Sequence, residues 1–234
     1  MAKLTSKSVL ILSTLILSAW GTRATQAADP SLGTSFKEWC RQKDSLSNAA
    51  SKTVDLLLKV AGTDDCEAAN QDLSSRSELV LVGEEITDVV PIAGFTNLEQ
   101  LHLSYNKITD VTPLATLTNL TALYLSFNEI TDATPLAILT NLEWLNLNFN
   151  EITDISFLRP LTNLNSLELY SNQVTDITAL SGLTNLEWLD LGFNQITDIT
   201  ALSGLTNLGM LNLRGNPLTS STCPVDESVC DFEL

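Results

Sequence analysis

From Arg76 to about Pro217 the chain repeats itself every 22 residues, and that period leaves few folds open. The copy from Leu98 reads LEQLHLSYNKITDVTPLATLTN. It is followed by LTALYLSFNEITDATPLAILTN from Leu120, LEWLNLNFNEITDISFLRPLTN from Leu142, LNSLELYSNQVTDITALSGLTN from Leu164 and LEWLDLGFNQITDITALSGLTN from Leu186. A more worn copy precedes them from Arg76, and a truncated one starts at Leu208. A fixed period of this length, without insertions, predicts a solenoid in which each copy is one coil. No single copy can bury its own apolar side chains, so the copies must stack.

Within a copy, Leu101 and Leu103 are spaced as on one face of a strand, with Gln100, His102 and Ser104 on the other. Each copy therefore supplies one short strand, and stacking aligns the strands as a parallel sheet. Asn106, Asn128, Asn150, Asn172, Asn194 and Asn216 fall where the chain leaves the strand. A buried amide there can satisfy backbone groups of its own turn and of the next coil. The first copy has Glu84 instead. Ile108 and its equivalents are core, and Asp110 is expected to cap the short helical or turn segment after it. The Asp column places like charges ~5 Å apart, a repulsion of about 0.8 kcal/mol per pair in water. A cap contributes about 1 kcal/mol, so the column is tolerable as a structural device. A calcium ladder would call for a D-x-D-x-D loop, which the repeats lack.

The LTNLxxLxLxxNxITDITPLxxL pattern resembles the internalin-type class of bacterial leucine-rich repeats. The resemblance covers residues 76 to about 217. It implies an α/β solenoid: a leucine-rich repeat arc with a parallel sheet on its concave face, a helical N-terminal cap and a short C-terminal cap. It also implies a non-enzymatic binding protein that uses the concave sheet.

Residues 1–27 read as a secretory signal: Lys3 and Lys7, an apolar run from Val9 to Trp20, and the small-residue site Thr25-Gln26-Ala27. The run is too short for a bilayer, which takes about 20 residues. Cleavage near Ala27 would release a secreted or periplasmic protein without a membrane span. Loss of Lys3, Lys7 and Arg23 takes the formal charge from -16 to -19. So acidic a protein is repelled by nucleic acid and anionic lipid.

Residues 29–75 lack the repeat and read as the N-terminal cap. Ser35-Phe36-Lys37-Glu38 is a capping-box pattern, Val54, Leu57, Leu58 and Ala61 share a helical face stopped by Gly62, and Cys66, Ala69 and Leu73 share a third. Residues 218–234 form the C-terminal cap. Cys40 and Cys66 lie in one cap, and Cys223 and Cys230 in the other. Four cysteines allow three pairings. Pairing within each cap is favoured because the stack separates the ends. A zinc site is disfavoured by the C-x6-C spacing and a single distant His.

The non-core strand positions form three columns across the sheet. Trp144 and Trp188 stand in the first (Glu78, Gln100, Ala122, Trp144, Ser166, Trp188, Met210), with Ser166 between them. The second column holds His102, Tyr124, Asn146, Glu168 and Asp190, and the third Tyr170 and Arg214. Trp, Tyr and Arg are the usual interface anchors. Trp144, Trp188, Glu168, Asp190, Tyr124, Tyr170, Asn146 and Arg214 are therefore the candidate ligand-binding residues. The expected partner is a protein or peptide with basic groups; a polysaccharide stacked on the two indoles is the alternative. Duplication of the LEWL segment would also account for the tryptophans.

Tyr105, Phe127, Phe149 and Phe193 precede the Asn and are expected to stack along the rim. His102 reads as an ordinary solvent-exposed residue. No catalytic constellation is present: one His, no HExxH, no GxSxG and no phosphate loop. Glu168 and Asp190 imitate a glycosidase pair, but an open sheet gives them no water-excluded pocket. No cofactor or metal is implied.

Overall fold

The computed structural model describes residues 35–220 and 222–232; the predicted signal segment lies outside them. Three helices come first: α1 (Phe36–Arg41), α2 (Asn48–Ala61) and α3 (Cys66–Ser75). Eight strands follow: β1 (Glu78–Val80), β2 (Gln100–His102), β3 (Ala122–Tyr124), β4 (Trp144–Asn146), β5 (Ser166–Glu168), β6 (Trp188–Asp190), β7 (Met210–Asn212) and β8 (Cys230–Asp231). They form one parallel sheet in chain order. Each residue of β1–β6 pairs with the residue 22 positions later, as Gln100 does with Ala122 and then Trp144. Identical coils stacked in register can pair in no other way. Between strands the chain returns through 3-10 turns such as Thr112–Thr116 and Thr134–Ile138.

The leucines of the pattern are fully buried from Leu79 to Leu213 and form one continuous core with the cap. Asp110 Oδ1 accepts from the Thr112 N–H at 2.8 Å, and Asp132, Asp154, Asp176 and Asp198 repeat the bond. The Asp column thus opens each 3-10 turn from the side-chain end. The side chain and N–H of Thr134 hold the Asp132 carboxyl below its ordinary value, and the N–H and side chain of Thr178 and Thr200 do the same for Asp176 and Asp198. Asp88, at the cap end, is pushed up by burial.

The Asn column reaches backwards along the stack, where the sequence suggested the next coil. Asn150 Nδ2 donates to Leu147 O in its own coil and to Leu125 O in the preceding one, and its Oδ1 accepts from Ile130 N–H, also in the preceding coil. Asn128, Asn172, Asn194 and Asn216 repeat the set. This direction explains Glu84: the element before the first coil is α3, which offers no turn for an amide to serve. A second ladder escaped the sequence reading. Asn119, Asn141, Asn163, Asn185 and Asn207, from the LTN segments, each donate to a carbonyl of the preceding coil at 2.8–2.9 Å, and Asn97 donates to Ser74 O of α3 at 2.8 Å.

The helical cap seals the first coil. Phe36 packs on Phe95 with ring centroids 5.7 Å apart, and Thr53 Oγ1 donates to Asp88 O at 2.7 Å. Ser47 and Asp65 cap α2 and α3 by accepting from Ala50 and Ala68, and α2 ends at Gly62 in the left-handed conformation, φ 69°. A disulfide joins Cys40 to Cys66 and another joins Cys223 to Cys230. The second sits beside β8, which extends the sheet beyond the last copy of the repeat. Among the described residues no helix is long and apolar enough to cross a membrane.

Candidate binding face

The strands point one row of side chains into the core and the other onto the open face. Register places Trp144, Ser166 and Trp188 side by side on β4, β5 and β6. Two strand spacings separate the indoles by about 10 Å. They are 43% and 46% exposed, among the most exposed large apolar side chains of the molecule.

Asn146, Glu168 and Asp190 lie alongside in the next column. Glu168 Oε2 accepts from Asn146 Nδ2 at 2.9 Å and Asn148 Nδ2 at 2.7 Å. Asp190 Oδ1 accepts from Gly192 N–H at 3.0 Å and Asn212 Nδ2 at 2.8 Å. One oxygen of each carboxylate is thereby held. Burial pushes both carboxyls above their ordinary values, against the pull of these hydrogen bonds. The charge of Asp190 pushes Glu168 further, and that of Asp231 does the same to Asp190. A cation arriving between them would relieve this repulsion.

The other predicted residues stand apart from the indoles. Arg214 lies at the C-terminal end, its Nε donating to Asp231 Oδ1 at 2.7 Å across to β8. Tyr124 stacks on His102, centroids 4.4 Å apart and planes 8° off parallel. Tyr170 turns toward the rim, between Phe149 at 5.2 Å and Phe193 at 5.1 Å. Gly192 makes room for it: a Cβ there would lie 2.8 Å from Asn212 Nδ2 and 2.9 Å from the Tyr170 ring.

The rim ladder is continuous only in part. Tyr105, Phe127 and Phe149 stack at 4.3 and 4.1 Å. Ser171 then breaks the row, and Tyr170 bridges the gap. The backbone at Tyr105, Phe127, Phe149, Ser171 and Phe193 is left-handed, φ 53–59°, a conformation uncommon for non-glycine residues. Phe193 closes the row against Gly215, where a Cβ would sit 3.0 Å from the ring.

His102 departs from the sequence reading. Its ring is half-buried against Tyr124, and Nε2 is buried without a hydrogen bond, although Glu78 Oε1 stands 3.4 Å away. That separation is within ion-pair range, but the geometry is not that of a hydrogen bond. The Tyr at the same position one coil later closes over the imidazole, which no single coil reveals. Asn148 is the other residue that the sequence did not single out. It donates to Glu168, and its Oδ1 accepts from Tyr170 N–H at 2.7 Å.

Family models for "Leucine Rich repeats (2 copies)" match residues 79–138 and 140–182, and one for "Leucine rich repeat" matches 162–218. A crystal structure of an internalin (inlF) from Listeria monocytogenes is 35% identical, with a TM-score of 0.68, over 73% of this chain and 51% of that one. An internalin C2 of the same species is 30% identical, with a TM-score of 0.58, over 76% of this chain and 91% of that one. The chain belongs to the internalin-like leucine-rich repeat proteins. A leucine-rich repeat protein of Leptospira interrogans is also similar, at 28% identity and a TM-score of 0.62, over 69% and 45% of the two chains. This internalin-like chain thus spans about half the length of the inlF protein. No curated protein matches its sequence. Leucine-rich repeat proteins are in general protein-binding scaffolds, and this chain carries that scaffold complete with an open strand face.

Proposed function

We propose that the protein is an exported, non-enzymatic module that binds a protein or peptide on the concave strand face. The partner covers Trp144 and Trp188 and sets basic groups against Glu168 and Asp190. The observation that carries this reading is the exposure of two indoles across a single serine, on a face whose folding needs no aromatic side chain. An indole buries on the order of 200 Å² when covered, and such residues dominate interface energies. The carboxylates steer a basic partner, an effect that weakens as salt rises. Export is supported by the disulfide in each cap, since such bonds persist in oxidising compartments.

The test is a crosslinking pull-down from periplasm or medium with wild type and with Trp144→Ala/Trp188→Ala. The variant should lose the partner, with affinity down about 30-fold or more, while its melting temperature stays close to that of wild type. A blank pull-down together with a positive glycan array would replace the protein partner by a polysaccharide stacked on the same indoles. A double variant that binds as tightly as wild type refutes the site.

A further inference from the structure

One column of the strand face changes character along the stack. At its N-terminal end, β1 and the residues just after it expose Val80 (54%) and Val82 (44%), and the His102–Tyr124 stack continues the same surface. Toward the C-terminal end the column that contains Val80, His102 and Tyr124 becomes Asn146, Glu168, Asp190 and Asn212. Strand propensity favours valine, yet the positions equivalent to Val82 carry Ser104, Ser126 and Asn148 in the following coils. The fold thus tolerates polar residues there, and the exposed valines are not required by it. The cap covers the end of the stack and leaves this face open. Glu78, beside His102, is the charged side chain at the edge of the apolar end.

Resting on the reading of the concave face given above, we infer that the partner is an extended peptide segment lying along the stack in one direction. An apolar side chain sits over Val80, Val82 and Tyr124, and an Arg or Lys sits over Glu168 and Asp190. The occupant follows from complementarity: a column apolar over β1 to β3 and anionic over β5 and β6, where it runs beside the indoles, selects a segment with an apolar anchor at one end and a basic one at the other. The interval is set by the sheet. From β2, the centre of the apolar end, to the gap between β5 and β6 is three and a half strand spacings, about 17 Å. An extended chain advances ~3.3 Å per residue and alternates its side chains between two sides, so two anchors facing the sheet are about four or six residues apart. A straight helix would touch a concave arc chiefly at its ends, whereas an extended segment follows the curve.

The test selects peptides from a random 12-residue display library on the full chain, then measures the enriched peptides against three variants. Enriched peptides should carry a basic residue about four or six positions from a large apolar one. Val80→Asn/Val82→Asn, which leaves the charge unchanged, should weaken them about tenfold without lowering the melting temperature. Glu168→Gln/Asp190→Asn should weaken them similarly and flatten the salt dependence. Moving the two anchors to adjacent positions in the peptide should abolish the benefit of the apolar one. If Trp144→Ala abolishes binding while the valine variant binds as wild type, the directional inference fails and the indole site stands. If neither variant affects the peptides, both fail; if no peptide is enriched, the extended-segment inference fails and the pull-down alone decides the indole site.

Discussion

Asn150 offers the most direct measurement of what holds the coils together. Replacing it by Ala leaves the Ile130 N–H without its acceptor, a bond of 3.0 Å, and takes one donor each from the Leu125 and Leu147 carbonyls, at 3.0 and 3.1 Å. Asn150 is only 7% exposed, so water cannot readily take its place. A buried group left unpaired costs about 1–3 kcal/mol, and that group is the N–H, because the Leu125 and Leu147 carbonyls keep the amide donors of Asn128 and Asn172. The expected loss is about 2 kcal/mol. Asn216→Ala removes the same three bonds, to Ile196 N–H, Leu191 O and Leu213 O. Asn216 is only half-buried, so solvent replaces part of the set and the expected loss is about 1 kcal/mol. The contrast rests on water access and not on the number of bonds, because each amide serves its own coil and the one before it. Asn150→Asp keeps an acceptor for Ile130 but turns a carboxylate on two carbonyls, and should cost at least as much as Ala. Urea melts followed by far-UV circular dichroism and tryptophan fluorescence measure all three. Equal losses at positions 150 and 216, or a loss under 1 kcal/mol at 150, would show that the Asn column is not the spine of the stack.

Phe127 has φ 56°, so Phe127→Val should destabilise more than Phe127→Gly, by about 1–2 kcal/mol in urea melts, because a β-branched residue is strained there while glycine is not. Reduction should loosen both ends. In the chain-entropy model the Cys40–Cys66 and Cys223–Cys230 closures contribute roughly 3.5 and 2.5 kcal/mol, and a thiol-dependent fall in melting temperature measures them. Glu168 and Asp190 have carboxyls raised in the folded state. The folded chain therefore holds their protons to a higher pH than the unfolded chain does, and stability is lost as pH rises through the interval between the two values. Glu168→Gln/Asp190→Asn should accordingly melt higher than wild type at pH 7, with the difference shrinking as pH falls through the carboxylate range. A difference that grows on acidification would contradict this.

The 22-residue period by itself determined the coil, the buried leucines, the register of the strands and the position of the tryptophans on the open face. It could do so because identical coils leave one way to stack, and alternation along a strand fixes which side chain faces out. The helical cap was legible for a similar local reason, since the Ser35–Glu38 capping box and Gly62 mark helix ends by their own chemistry. What lay between coils was not legible. The backward reach of the Asn amides, the turn of Tyr170 into the gap at Ser171, the burial of His102 under Tyr124 and the capture of Glu168 by Asn146 and Asn148 all join residues about one coil apart or rest on side-chain direction. The addition of β8 to the sheet has no repeat pattern to announce it. The period fixes where each side chain begins, but its direction is settled by the neighbour it meets, and that neighbour is supplied only when the coils are stacked.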